Sequence, residues 1–401
     1  MLYQLLVACV VSSLIWGVIG VSNPDEFLST PELIVKYGYP VEIHTVTTAD
    51  GYILTMHRIP YSPKSPAAPN KPVAFLQHGL FCSSTDWIVL GPERSLGYLL
   101  ADAGYDVWLG NARGNTYSKN HTTLSVSDYK FWDFSWHQMG IYDLPAAFDY
   151  VLELTGQEKL SYAGHSMGTT MFYVCMSMKP EYNDRIQIMA SLAPIAYMAH
   201  TTNALAKFGS YLPGSQVGLQ FLEILGLGEL LPTNSLMQFL SDSACSEGSI
   251  TQGICSSIVF LLCGYDPSQV NTTVLPVLLS HTPAGVSTKT ILHYAQEIGS
   301  ISHNFKQYDY YVLNPIVYGS VTPPSYKVAN ITAPIYLMYG DNDPFGDPTD
   351  VFKLFGSLPN VKGIYRVALD SFNHIDFLWA NDIKPLVNDE VIRVFQEYQS
   401  S

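Results

Sequence analysis

The chain has 401 residues, 47% of them apolar and only 13% charged. That excludes a disordered chain, which requires low hydrophobicity and high charge. The length fits one large α/β domain carrying an insertion, or two domains. Lys+Arg number 20 against 34 Asp+Glu, a net charge of −14 with no basic run, so nucleic acid, which needs concentrated positive charge, is excluded as a partner.

Residues 1–20 carry no charged side chain, are largely apolar from Leu5, and end in Val18-Ile19-Gly20. This pattern predicts a secretory signal peptide, removed from the mature protein. An uncleaved anchor is the alternative, since about 20 apolar residues span a bilayer. No other stretch is long and apolar enough to cross, so no transmembrane segment is expected in the mature chain. Of the six cysteines, Cys9 leaves with the signal, and Cys82, Cys175, Cys245, Cys255 and Cys263 remain. An odd number leaves at least one thiol free, and one short-loop disulfide among Cys245, Cys255 and Cys263 suits a secretory compartment. No pair has zinc spacing and there is no H-E-x-x-H, so no metal and no cofactor is expected. Asn120, Asn271 and Asn330 head N-x-[ST] sequons and are candidate surface glycosylation sites.

Val41 to Ile59 predicts a hairpin, with alternating residues on either side of Asp50-Gly51. Residues 62–72, rich in Pro, Ala and Ser, form a loop. Short apolar runs then alternate with helix-length segments: Val73–Leu76 before His78-Gly79-Leu80, Tyr105–Leu109 before Gly110, Leu160–Ala163 before Gly164, and Ile186–Leu192 before Ala193-Pro194. Buried strands separated by helices imply a mostly parallel sheet flanked by helices on both faces. The rhythm stops near Tyr197 and resumes at Pro334–Tyr339, with a last run at Gly363–Leu369. Between them lie apolar helical patterns at Val217–Leu231, Leu236–Phe239, Ile258–Leu262 and Val274–Leu279. An inserted helical cap is therefore expected at 197–327, inside a core split into 21–196 and 328–401.

Gly164-His165-Ser166-Met167-Gly168 is the single G-x-S-x-G of the chain. A strand that turns sharply into a helix holds the serine in a strained conformation, and side chains two residues to either side would clash. The predicted strand Leu160–Ala163 and helix Thr169–Met178 supply that context, which makes Ser166 a candidate nucleophile. A serine hydroxyl needs a base, and on such a fold the order along the chain is Ser, acid, His. Of eleven histidines, His374 alone lies beyond the acidic cluster that follows the strand at 334–339. In that cluster Asp343 fits the acid best and Asp341 second, while Asp376 is excluded by order. Two backbone donors must hold the oxyanion: Met167, after the nucleophile, and a residue of the loop after the strand at 73–77, nominated as Leu80.

Together these stretches resemble the acid lipase family of α/β-hydrolases, which includes the gastric, lingual and lysosomal acid lipases. The resemblance rests on Gly38-Tyr39-Pro40 with Asp50-Gly51-Tyr52-Ile53-Leu54, His78-Gly79-Leu80 with Ser83-Ser84 and Asp86-Trp87, Val107 to Asn115, and Tyr142 to Ala146. Asn342-Asp343 and Asn373-His374-Ile375-Asp376-Phe377 complete it. It implies an α/β-hydrolase fold with a cap that includes a movable lid, and hydrolysis of water-insoluble lipid esters, triacylglycerols chiefly and cholesteryl esters in lysosomal members, at an emulsion or membrane interface. It implies Ser166, Asp343 and His374 as the triad, Leu80 and Met167 as oxyanion donors, and a Cys245–Cys255 disulfide that leaves Cys263 free. It implies a secreted enzyme, extracellular or in a gut lumen, with the lysosome as the alternative. Two positions depart from the family: Met167 stands where many members have Gln, and His137 where many have an acidic residue. The apolar cap patterns independently favour a lipid-contacting surface. The competing readings are a catalytically inactive lipid-binding or storage protein on the same fold, and an esterase for small soluble esters.

Overall fold

The computed structural model describes residues 23–203, 228–230 and 263–399; the expected signal at 1–20, the Cys245/Cys255 pair and most of the apolar patterns between 204 and 262 lie outside the described residues. Nine strands form one twisted sheet: β1 (Glu42–Thr47), β2 (Tyr52–Ile59), β3 (Val73–Gln77), β4 (Asp106–Gly110), β5 (Asn120–His121), β6 (Leu160–His165), β7 (Ile186–Leu192), and, after a further short pair β8 (Glu229–Leu230) and β9 (Val286–Ser287), β10 (Ile335–Tyr339) and β11 (Val361–Arg366). Their spatial order is β1-β2-β4-β3-β6-β7-β10-β11, with β5 on β2. The predicted hairpin is β1–β2, closed at Thr47 opposite Ile53, and Gly51 turns it at φ +97°, a backbone that favours glycine. From β4 to β11 every pairing is parallel, as crossover helices require.

Alternation along each strand feeds two cores. Phe75, Trp108 and Tyr162 pack with Phe148 and Met171 on one face; Leu76, Leu109, Ala163 and Ile188 pack with Met338 and Phe395 on the other. The crossovers are helices α1 (Leu96–Asp102), α2 (Leu144–Thr155) and α3 (Met167–Met178), and beyond them α4 (Leu275–His281), α5 (Thr288–Ile298), α6 (Pro348–Ser357) and α7 (Asp389–Gln399). A buried guanidinium ties the hairpin to the start of α2: Arg113 pairs with Asp50 and with Asp143 and lies 3.9 Å over the Tyr52 ring.

Three local expectations change. The last strand spans Val361–Arg366 rather than Gly363–Leu369, because the chain leaves the ladder at a turn in which the Leu369 amide donates to the Val367 carbonyl. At the end of the helical pattern 217–231, Glu229 and Leu230 pair antiparallel with Ser287 and Val286, a two-residue ladder that periodicity does not reveal. Helix α5 lies within the expected helical cap but outside the four apolar patterns named for it; its opening Thr288-Lys289-Thr290 interrupts the apolar stripe, and the Ser287 hydroxyl caps it by accepting from the Thr290 amide.

Candidate active site

Strand β6 ends in the serine turn. Ser166 has φ 52° and ψ −115°, a left-handed conformation costly for any residue with a Cβ. A Cβ on Gly164 would lie 2.8 Å from the Tyr162 ring and 2.9 Å from the Gly168 backbone, and one on Gly168 would lie 2.4 Å from the Gln77 carbonyl oxygen of β3. Both glycines are therefore required by contact between the turn, the helix start and the adjacent strand. The hydroxyl that results sits at the N-terminus of α3, where developing negative charge is favoured.

His374, from the loop after β11, brings Nε2 to 2.8 Å from Ser166 Oγ. Its Nδ1 lies 2.8 Å from Asp343 Oδ2 and 2.9 Å from Oδ1. The carboxylate accepts, so Nδ1 carries the proton and Nε2 is left to accept from Ser166. Asp343 Oδ1 also accepts the amides of Phe345 and Gly346. Burial raises the Asp343 pKa, but His374 and these two amides outweigh it and hold the carboxyl below its ordinary value. The second-choice acid is elsewhere: Asp341 pairs with Arg366. Asp347 caps α6 through the Thr349 amide, and Asp350 accepts from His200.

The loop that carries His374 is fastened from several sides. The His374 amide donates to the Cys263 carbonyl at 3.3 Å, Asn373 Nδ2 donates to the Gly264 carbonyl at 3.0 Å, and His165 Nε2 is 2.9 Å from the His374 carbonyl oxygen. Asp376, excluded as the triad acid by its place in the chain, accepts the Asn373 amide at 2.8 Å. Burial, with Asp266 and Asp343 nearby, pushes its carboxyl up to about 7. The Asn373–Asp376 bond is local, but the other supports come from chain segments far apart in sequence, and no local signal announces them.

Leu80 and Met167 flank the serine from the loop after β3 and from the first position of α3. Among the described residues neither amide has an acceptor. Gly79 brings its backbone so close that a Cβ there would be 3.2 Å from Ser166 Cβ. The Met167 side chain is buried, and His137 Nδ1 is 2.6 Å from the Tyr326 hydroxyl. Cys82, Cys175 and Cys263 are free thiols among the described residues. Asn120 is exposed, while Asn271 and Asn330 are half-buried, and Asn330 Nδ2 points at the Ser177 carbonyl. No cluster of His, Cys, Asp and Glu able to hold a metal occurs among the described residues, and no helix among them is long and apolar enough to cross a membrane.

A serine raised on a strained turn above parallel strands, in reach of an imidazole from the end of the chain, places the protein among the α/β-hydrolases. Comparison with known proteins agrees. Residues 72–240 match the alpha/beta hydrolase fold family and residues 30–91 a partial alpha/beta-hydrolase lipase region. Lipase 3 of Drosophila melanogaster is 46% identical over 92% of this chain and 93% of its own. Gastric triacylglycerol lipase of Mus musculus is 38% identical over 99% and 100%, and human lysosomal acid lipase/cholesteryl ester hydrolase 36% over 94% and 93%. Among solved structures, a soluble variant of monoglyceride lipase from Saccharomyces cerevisiae shares the fold with a TM-score of 0.52 at 14% identity, covering 90% of this chain and 98% of that one. The chain belongs to the acid lipase family, and it is a carboxylic ester hydrolase acting on lipid esters.

Proposed function

We propose that the protein is a serine lipase that cleaves triacylglycerol at a lipid–water interface through an acyl-enzyme. The hydrogen-bonded line from Ser166 through His374 to Asp343 carries this reading. Ser166 Oγ attacks the ester carbonyl while His374 Nε2 takes its proton. Asp343 holds the imidazole in the required tautomer and stabilises the imidazolium, and the amides of Leu80 and Met167 receive the oxyanion. His374 then protonates the leaving alcohol, and water repeats the sequence on the acyl-enzyme. The relatives' names, a gastric triacylglycerol lipase and a lysosomal cholesteryl ester hydrolase, support triacylglycerol first and sterol esters second.

Residues 197–327 serve as the cap between core segments 21–196 and 328–401. Its described part rests on the nucleophile helix, Tyr294 of α5 meeting the Thr170 hydroxyl at 3.0 Å. The apolar N-terminal stretch supports secretion, with the lysosome as the alternative destination. Asn120 is the sequon best placed for a glycan, and Cys245–Cys255 is the disulfide of the reading. Titrating the enzyme on emulsified long-chain triacylglycerol tests the function: release of fatty acid by the wild type, lost in Ser166→Ala, is expected. Binding of lipid without turnover would favour the storage protein, and higher activity on dissolved than on emulsified esters would favour the small-ester esterase.

A further inference from the structure

His78 follows β3 and its imidazole is buried. Nε2 lies 3.0 Å from the Ala112 amide and 3.1 Å from Asn115 Nδ2. A backbone N–H can only donate, and Asn115 is oriented by its own bonds: its Oδ1 accepts from Tyr117 and its Nδ2 also donates to Asn111 Oδ1. Nε2 is therefore an acceptor, and the ring proton is on Nδ1. Nδ1 lies 2.8 Å from the Gly79 carbonyl oxygen, which also accepts the Cys82 amide at 3.3 Å. The peptide joining Gly79 to Leu80 is planar and trans, so its C=O and N–H point in opposite directions. A group that fixes the carbonyl thereby aims the Leu80 N–H. The far end of the same loop is also held, the Phe81 carbonyl accepting the Ala284 amide at 2.7 Å.

We propose that His78 is a positioning residue for the oxyanion site, its Nδ1–H gripping the Gly79 carbonyl so that the Leu80 N–H faces the ester above Ser166. This rests on the assignment of Leu80 as an oxyanion donor. Burial of the imidazole, partly opposed by the Gly79 carbonyl, pushes its pKa down to about 4. The neutral Nδ1–H tautomer thus persists into mildly acidic solution. A protonated ring would set a second proton against the Ala112 amide, which is the reason burial and geometry act together here.

The test uses full-length enzyme with His78→Gln and His78→Asn. Gln reaches the Nε2 position and can accept from Ala112 but offers no donor at the Nδ1 position; Asn keeps a donor there. Each is assayed on a soluble ester and on the matched thionoester, whose developing sulfur anion is a poor acceptor for backbone N–H groups. Since removing one oxyanion donor costs ~10²–10³ in kcat, misaiming one should cost H78Q roughly 10–100-fold in kcat on the ester with little change in KM, and shrink the ester/thionoester ratio by a similar factor. H78N should retain most of both. If H78Q keeps the wild-type ratio, or H78N loses as much of it as H78Q, the proposal is overturned while the oxyanion site stands. A wild-type enzyme indifferent to sulfur would overturn the oxyanion assignment and the proposal with it. Nitrogen NMR of the unsubstituted protein supplies a readout independent of variant folding: an Nδ1–H tautomer at His78 is expected, and an Nε2–H tautomer refutes the mechanism.

Discussion

Replacing Asp376 by Asn should stabilise the protein, and only above the acid range. The carboxyl is 2% exposed and accepts the Asn373 amide through Oδ2, a bond that the Asn carbonyl oxygen can reproduce. Burial, partly opposed by that amide, with Asp266 and Asp343 nearby, lifts its pKa from 3.8 to about 7. At about 1.4 kcal/mol per tenfold change in proton affinity, this amounts to roughly 4 kcal/mol. Because the folded pKa is raised, the native state holds the proton more tightly than the unfolded chain. The associated stability is complete below pH ~3.8 and is lost as pH rises through about 7. Asn mimics the protonated form at every pH. Wild type and variant should therefore unfold together near pH 4, diverge between pH 4 and 7, and stay apart above pH 7 with the variant the more stable. Unfolding entropy of about 2.1 cal/mol/K per residue over 401 residues gives ~0.8 kcal/mol/K, so 4 kcal/mol corresponds to about 5 °C. Calorimetric scans at pH 4 and pH 8, at one scan rate, would show it. An equal midpoint difference at both pH values would refute the account, since a packing effect has no reason to follow a proton.

The remaining expectations concern catalysis and packing. Asp343→Asn should leave the fold intact and lower kcat by about 10⁴, the cost of losing the orienting carboxylate of a triad, measured on a soluble ester; a loss under tenfold would contradict the role of the acid. Gly168→Ala places a Cβ 2.4 Å from the Gln77 carbonyl oxygen, a backbone contact with nowhere to go, so β3 and α3 must separate; a loss of ~3 kcal/mol or more in chemical unfolding is expected, the upper range for overpacking. Arg113→Met strips a buried cation from Asp143 and Asp50 and should cost about 3–5 kcal/mol, as broken buried ion pairs do; unfolding midpoints within a degree of wild type would contradict this.

How much the sequence disclosed depends on the range over which each feature is decided. The serine turn was legible because part of its constraint is local: Gly164 and Gly168 face each other within one short motif, although the contact of Gly168 with Gln77 of β3 comes from far up the chain. His374 was legible from chain order alone. The choice between Asp343 and Asp341 was only a preference, since both follow β10 closely; what separates them is partners far down the chain, Arg366 for Asp341 and His374 for Asp343. The supports of the site were not legible. His78 owes its tautomer to Ala112 and Asn115, a long way down the chain, and the His374 loop is held by the Cys263 and Gly264 backbone. Backbone donors and acceptors leave no mark in residue type. The β8–β9 ladder escaped for a different reason, since two paired residues on each side make no periodic pattern.

The hydroxyl and the ring nitrogen that meet at 2.8 Å are 208 positions apart in the chain. Ribosomes deliver residues from the amino end onward. On the roles proposed for Ser166 and His374, a growing polypeptide therefore has its nucleophile long before it has a proton acceptor. The catalytic line proposed for this lipid ester hydrolase is thus incomplete until almost the whole message has been translated.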